Sequence, residues 1–220
     1  MTKRSRSTAA QKRRTTTAGG GIPRWVIAVA VGGVVVAAAV ISVALATAPP
    51  PVSEPSTVPV VVTGTSLPAF PDGGTDPALG MTLPTLRGLS LDGSSMTIGA
   101  DGRAKAIIIL AHWCPHCQAE VPRIVTWLAG NPIPDGVDVV GLTTAISAVR
   151  LNYPPSEWLA REGWQQPTMV DDANSTGYVA LGGPAFPGWV FVSADGRVQL
   201  RTTGELDPAE FGAMLDQIAP

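Results

Sequence analysis

Both cysteines of this 220-residue chain lie within five consecutive residues, Trp113-Cys114-Pro115-His116-Cys117. Because the sequence contains no other thiol, a disulfide within one chain can only join Cys114 to Cys117. The apolar, β-branched run over 104–111 predicts a buried strand, and 114–128 predicts a helix with one apolar face. Cys114 would then begin a helix, where free N–H groups and the helix dipole stabilise a thiolate, the nucleophile of disulfide exchange. The motif therefore predicts a pair that cycles between dithiol and disulfide.

Metal and haem chemistry are the alternatives for the same segment. Covalent haem attachment needs a histidine directly after the second cysteine, and this chain has Gln118 there. A structural zinc site needs four ligands, and the two cysteines with His112 and His116 crowd into six residues that must also enter a helix. We therefore predict no metal and no cofactor. A non-catalytic module that holds metal or a partner through Cys114, Cys117 and His116 remains the hypothesis from a different functional class.

The N-terminal quarter of the chain predicts a membrane anchor. Residues 1–24 carry seven basic and no acidic side chains, and residues 25–48 then run without a charge. At about 1.5 Å per residue, this run covers about 36 Å, enough for a hydrocarbon core of about 30 Å. The basic tail before it predicts a cytoplasmic N-terminus and an extracytoplasmic remainder. Cleavage after Ala46-Thr47-Ala48 in a secreted form is the alternative.

Beyond Ala48, the composition changes twice. Residues 49–78 hold eight prolines among Ser, Thr, Val and Gly, which predicts an extended spacer, and residues 79–220 have the length of one domain. All 17 acidic residues but only eight of the 15 basic residues lie beyond Ala48. The external part is therefore acidic, which argues against nucleic-acid binding. The lipid bilayer is the expected partner of residues 25–48.

Alternating strand and helix patterns predict an α/β fold with a mixed central sheet flanked by helices. A hairpin is expected around Asp92-Gly93, a second around Asp195-Gly196, and a short helix over 155–163. The last helix has the clearest sequence signals. Asp207 caps it and Pro208 opens it, before an i, i+3, i+4, i+7 apolar stripe over 211–218.

The arrangement resembles the thioredoxin fold over about residues 79–220. The resemblance rests on Ala111-His112-Trp113-Cys114-Pro115-His116-Cys117, on Pro122 eight residues after Cys114, and on 182–192, which leads into the terminal hairpin. The insert near 153–163, the predicted anchor and the first hairpin are similar to the membrane-anchored TlpA/ResA-like branch of thiol–disulfide oxidoreductases. The Pro-His dipeptide is typical of DsbA-type oxidants.

The resemblance implies a role for each site residue. Cys114 and Cys117 would form the redox-active disulfide, and Pro187 would be a cis-proline packed against their sulfurs. Phe186, Trp113 and Pro115 would contact the substrate, and His116 would take part in catalysis. Many relatives place a buried acid or amide in the strand where this chain has Ile108. Glu120 matches an acid common after the motif, with a solvated residue in the first helical turn as the alternative.

The direction of the reaction depends on His116. A partly cationic imidazole near Cys114 would stabilise the thiolate and hence the reduced protein, making the disulfide more oxidising. This favours an oxidant, whereas the TlpA/ResA-like features favour a reductant. The expected partners are extracytoplasmic proteins with thiols or disulfides, and a membrane redox protein that recycles the pair.

Overall fold

The computed structural model describes residues 58–220. The predicted basic tail (1–24), the predicted transmembrane helix (25–48) and the first part of the predicted spacer, 49–57, lie outside the described residues. Within residues 58–220, no helix is long and apolar enough to cross a membrane.

A mixed sheet organises the fold, as predicted. Its strands pair in the order β1-β2-β6-β5-β4-β7-β8, and β3 pairs with β2. Neighbours β4, β5 and β6 are parallel, and the remaining pairs are antiparallel. The eight strands are β1 (Val61–Thr63), β2 (Thr85–Ser90), β3 (Ser95–Ile98), β4 (Ala104–Leu110), β5 (Val137–Thr143), β6 (Thr168–Val170), β7 (Gly188–Val192) and β8 (Val198–Thr203).

Four helices accompany the sheet in the described part of the chain. They are α1 (Pro115–Gly130), α2 (Pro155–Arg161), α3 (Thr176–Ala180) and α4 (Pro208–Ile218). Each helix predicted within residues 58–220 is present, and so are both predicted hairpins. Asp207 caps α4 as expected, accepting a hydrogen bond from the backbone N–H of Ala209 at 2.8 Å. Pro122 lies inside α1, also as expected.

Strand β4 is buried on both faces, which explains its unbroken apolar sequence. Alternate residues point to opposite sides of the sheet. Ile108 and Leu110 pack in the core that contains α1, α2 and α4, whereas Ile107 and Ile109 pack in the core on the other side. The strand that leads to the motif is therefore fixed from both faces, and the position of Cys114 relative to the sheet is fixed with it.

The spacer predicted for residues 49–78 differs from the structure in its second half. β1 pairs with β2, and Val60, Leu67 and Ala78 are buried. The guanidinium of Arg201, itself buried, bonds both carboxylate oxygens of Asp76 at 2.5 and 2.9 Å. Proline removes backbone donors but does not prevent an extended segment from packing against a sheet through its apolar side chains. The folded domain therefore includes residues on the N-terminal side of position 79.

Candidate active site

Cys114 lies at the start of α1, where the chain turns out of β4. It is the N-cap residue, with extended backbone angles (φ −76°, ψ 123°), and Pro115 occupies the first helical position. The backbone N–H of Cys114 donates to the carbonyl of Ala111 at 2.9 Å, which closes the turn. No side chain caps the first turn of this helix. The first N–H groups of α1 therefore lie beside the residue that carries the outer sulfur.

The two thiols have unequal access to solvent. Cys114 keeps 7 % of its surface exposed, whereas Cys117 is fully buried. The Sγ of Cys117 accepts a hydrogen bond from the backbone N–H of Ala111 at 3.5 Å. Burial raises the pKa of the Cys117 thiol, and the nearby Cys114 and Glu120 raise it further. Both cysteines are free thiols in this structure. The geometry thus suits an outer sulfur that meets a substrate and an inner sulfur that reacts second.

Pro187 lies against the same site, on the chain that enters β7. The Phe186–Pro187 peptide bond is cis. The Cys114 thiol donates to the carbonyl oxygen of Phe186 at 3.5 Å, so the backbone just before Pro187 contacts the outer sulfur. The carbonyl oxygen of Pro187 accepts from the N–H of Gly204 at 2.9 Å, which ties this segment to the end of β8. The structure therefore brings Cys114 and the Phe186–Pro187 segment together.

Aromatic side chains form the rim around Cys114. Trp113 and Phe186 meet edge to face, with ring centroids 6.0 Å apart, and the ring centroids of Tyr178 and Phe186 are 5.2 Å apart. The indole N–H of Trp113 donates to the carbonyl of Ala145 at 2.8 Å. Pro115 is exposed beside them. These residues provide an apolar surface next to the outer thiol.

His116 points to a carboxylate that the sequence did not associate with it. Its Nδ1 lies 2.9 Å from Oε1 of Glu205, and 69 % of its side chain is exposed. Arg123 donates to the other oxygen of Glu205 at 2.8 Å. The hydrogen bond from His116 is the main cause of a lowered pKa at Glu205. His116 and Arg123 therefore share one carboxylate, that of Glu205.

Glu120 is a buried acid, and the alternative of a solvated helix residue was wrong. Its side chain is fully buried, and its carboxylate accepts from the indole N–H of Trp189 at 3.1 Å and from the backbone N–H of Leu206 at 3.0 and 3.2 Å. Burial raises its pKa above the ordinary value of 4.5, against the opposing effect of these hydrogen bonds. A signal was present in the sequence. Cys117, Glu120, Val121 and Ile124 follow the i, i+3, i+4, i+7 pattern of a buried face.

Residues 58–220 contain no cluster of side chains that could bind a metal ion. Across that range, no group of three or more His, Cys, Asp and Glu side chains is arranged to hold an ion. His116 is directed at Glu205, and both ring nitrogens of His112 bond backbone groups.

Known proteins share the fold of this chain, and one family model matches most of its length. The chain is 28% identical over 127 residues to the soluble secreted antigen MPT53 of Mycobacterium tuberculosis, covering 55% of this chain and 63% of that protein. It therefore spans less than two thirds of the length of this curated relative. The crystal structure of a DsbF homologue from Corynebacterium diphtheriae matches 70% of this chain and 99% of its own, with a TM-score of 0.57 and 17% identity.

Two further solved structures share the fold. A secreted Mycobacterium tuberculosis disulfide oxidoreductase homologous to Escherichia coli DsbE covers 60% of this chain and 94% of its own, with a TM-score of 0.50 and 21% identity. StoA from Bacillus subtilis covers 63% of this chain and 98% of its own, with a TM-score of 0.52 and 16% identity. The model of the Redoxin family matches residues 64–217, which is most of the chain, and the protein therefore belongs to the Redoxin family.

Proposed function

We propose that this protein is a membrane-anchored, extracytoplasmic thiol–disulfide oxidoreductase that exchanges disulfides with other proteins through Cys114 and Cys117. The observation that carries the proposal is the unequal pair of thiols at the start of α1, with the outer sulfur in contact with the Phe186–Pro187 segment. Solved structures of the same fold whose names describe disulfide oxidoreductases support it.

The exchange takes place in two steps that conserve electrons. In the reducing direction, the Cys114 thiolate attacks one sulfur of a substrate disulfide, the substrate S–S bond breaks, and one substrate thiolate leaves. Cys117 then loses its proton and attacks the Sγ of Cys114. The Cys114–Cys117 disulfide forms as the second substrate thiolate leaves, so the substrate gains two electrons and the protein loses them. In the oxidising direction, the same steps occur in reverse order.

We assign to Glu120 the role of accepting the proton from the Cys117 thiol. The buried Cys117 thiol has a raised pKa and cannot ionise readily without a proton acceptor. Glu120 is three residues further along α1, on the same buried face, and its own pKa is raised. A base whose pKa moves towards neutrality transfers protons more effectively at neutral pH. Glu120 therefore acts as the proton acceptor in this protein. Ile108 cannot do so from its strand, since its side chain has no polar atom.

The direction of exchange depends on the pair formed by His116 and Glu205. A positive imidazole in the first turn of α1 favours the thiolate of Cys114 and a more oxidising disulfide. Glu205 offsets part of that charge. We therefore expect the Cys114–Cys117 disulfide to be more oxidising than that of thioredoxin and less oxidising than that of a strong oxidant.

The site of action follows from the N-terminal sequence and from the relatives. We propose that residues 25–48 anchor the chain, that the N-terminus is cytoplasmic, and that a membrane redox protein recycles the cysteines. The name of the matched antigen describes a secreted protein, which supports an extracytoplasmic location for the domain. A reporter enzyme fused after Pro220 should be active only outside the cytoplasm. A mature N-terminus at Pro49 would instead indicate cleavage and secretion.

A rate measurement tests the proposed activity. The oxidised full-length protein, in detergent, is mixed with a reduced peptide that contains two cysteines, and the peptide disulfide is followed by mass spectrometry. We expect stoichiometric transfer by the wild type and none by Cys114→Ser. If the wild type and Cys114→Ser oxidise the peptide at the same slow rate, the proposal is wrong.

A further inference from the structure

The loop that follows β5 lies beside the candidate active site. β4 and β5 are parallel and Leu110 pairs with Thr143, so the chain leaves both strands at the same edge of the sheet. We call residues 145–152 the rim loop. The carbonyl of Ala145 accepts from the indole of Trp113 at 2.8 Å, and the guanidinium of Arg150 lies 4.8 Å from the centre of the Trp113 ring. The rim loop therefore contacts the residue directly before Cys114.

His112 holds the rim loop through both of its ring nitrogens. Nδ1 lies 2.7 Å from the carbonyl oxygen of Leu151, and Nε2 lies 3.1 Å from the backbone nitrogen of Ser147. A carbonyl can only accept and an N–H can only donate, so Nδ1 carries the proton and Nε2 is the acceptor. His112 is fully buried, and burial lowers its pKa, which favours this neutral form. A buried imidazole two residues before Cys114 thus fixes two points of the loop.

The rim loop presents apolar side chains to solvent. Val149 is 94% exposed and Leu151 is 79% exposed, the two highest values among the exposed large hydrophobic residues of the described chain. A single exposed apolar residue is ordinary. These two, however, stand on a loop whose backbone is bonded to a buried histidine and whose Arg150 rests on an active-site tryptophan. The apolar tip therefore belongs to a loop that is fixed against Trp113, the residue directly before Cys114.

We infer that the rim loop is a substrate-recognition element, in which Val149 and Leu151 contact apolar side chains that flank the reacting cysteine of a polypeptide. His112 is its positioning residue. The inference rests on the proposed function and names the substrate class of that site. A mixed disulfide at Cys114 brings the neighbouring residues of the substrate close to Trp113, and each extended residue adds about 3.3 Å of reach. Residues beside the substrate cysteine can therefore meet the rim loop, whereas glutathione has no apolar neighbour to place there.

A comparison of two peptides tests the inference. Oxidised full-length protein reacts with a peptide that has leucine on both sides of one cysteine, or with a matched peptide that has glycine there, and stopped-flow tryptophan fluorescence gives each rate. We expect the wild type to react about tenfold faster with the leucine peptide, from partial burial of two apolar side chains. In the double variant Val149→Ser/Leu151→Ser, the ratio of the two rates should fall close to one. Val61→Ser, at an exposed position of edge strand β1, is the matched control and should keep the wild-type ratio.

Variants at His112 test its positioning role separately. His112→Phe removes both hydrogen bonds to the rim loop and should lower the peptide ratio, while His112→Gln, which can donate and accept, should restore part of it. If His112→Phe does not fold, the Gln and double Ser variants still decide the matter. A peptide ratio unchanged in the double Ser variant overturns the inference, provided that the wild type oxidises the two-cysteine peptide of the activity test. Failure of the wild type to oxidise the two-cysteine peptide of the activity test would refute the proposed function, and the inference with it.

Discussion

Replacing Glu120 by glutamine should separate proton transfer from folding. Glutamine has nearly the same size and keeps a carbonyl oxygen in the place of Oε1, which accepts from both Trp189 and Leu206. The contact from the N–H of Leu206 to Oε2, at 3.2 Å, would be lost, at a cost of about 1 kcal/mol in the free energy of unfolding. The amide cannot take a proton from Cys117. Because a positioned general base contributes about 10²-fold or more to a rate, the resolution of the mixed disulfide should slow by about that factor.

The assay follows the two steps separately at neutral pH. Alkylation of Cys114 by a small reagent reports the first thiol and should be unchanged in Glu120→Gln. Quenched samples should contain a mixed disulfide between Cys114 and the substrate that persists far longer than in the wild type. Glu210→Gln makes the same chemical change at an exposed site in the first turn of α4 and should behave like the wild type. Resolution at the wild-type rate in Glu120→Gln would refute the assignment of Glu120.

The same substitution predicts a pH dependence of stability. Burial raises the folded-state pKa of Glu120 above 4.5, so the protonated form is favoured in the folded protein. Its contribution to stability is therefore fully present below the unfolded-state pKa and is lost as the pH rises through the folded-state pKa. Urea unfolding between about pH 4 and 8 should show the wild type losing stability relative to Glu120→Gln as the pH rises. An unchanged difference across this range would contradict a raised pKa.

Three further predictions concern the two cysteines, Pro187, and His116 with its partner Glu205. Cys114→Ser should abolish exchange, whereas Cys117→Ser should trap mixed disulfides with substrates, which non-reducing gels would show. Equal alkylation rates of the two wild-type thiols would contradict the assignment of Cys114 as the thiol that reacts first. Pro187→Ala should leave the cooperative melting transition in place but slow substrate release, and unchanged release would remove Pro187 from the site. His116→Ala should make the reduction potential more negative in glutathione buffers. Glu205→Gln should make the potential less negative, because no carboxylate then offsets the charge of a protonated His116. A potential unaffected by either change would make His116 a spacer.

The fold was predictable because most of its elements have local signals. The apolar run of β4, the turn at Asp195-Gly196 and the cap of α4 each lie within a few residues of the elements they specify. The redox motif is equally local, because Cys114 and Cys117 are one helical turn apart. Periodicity and turn chemistry act over such short separations, so these features could be predicted without any knowledge of the tertiary contacts.

The rest depends on contacts between residues that are far apart in sequence. Arg201 meets Asp76 across 125 positions, and His116 meets Glu205 across 89. No local pattern specifies such pairs, and for this reason the start of the domain and the direction of His116 were not predicted. Glu120 is a different case. Its place on the buried face of α1 was visible in the periodicity, but its partners, Trp189 and Leu206, come from distant segments.

The reduction potential of the Cys114–Cys117 pair tests the central proposal most directly. The full-length protein is equilibrated in glutathione buffers of defined ratio, and the fraction of oxidised pair is read by trapping thiols for mass spectrometry. We expect one reversible two-electron transition with a midpoint between about −270 mV, as in thioredoxin, and about −120 mV, as in DsbA. His116 moves the value away from thioredoxin, and Glu205 limits the shift. A protein that shows no reversible transition, or one that is oxidised only to glutathione adducts with no bond between Cys114 and Cys117, would contradict the proposed cycling of this pair.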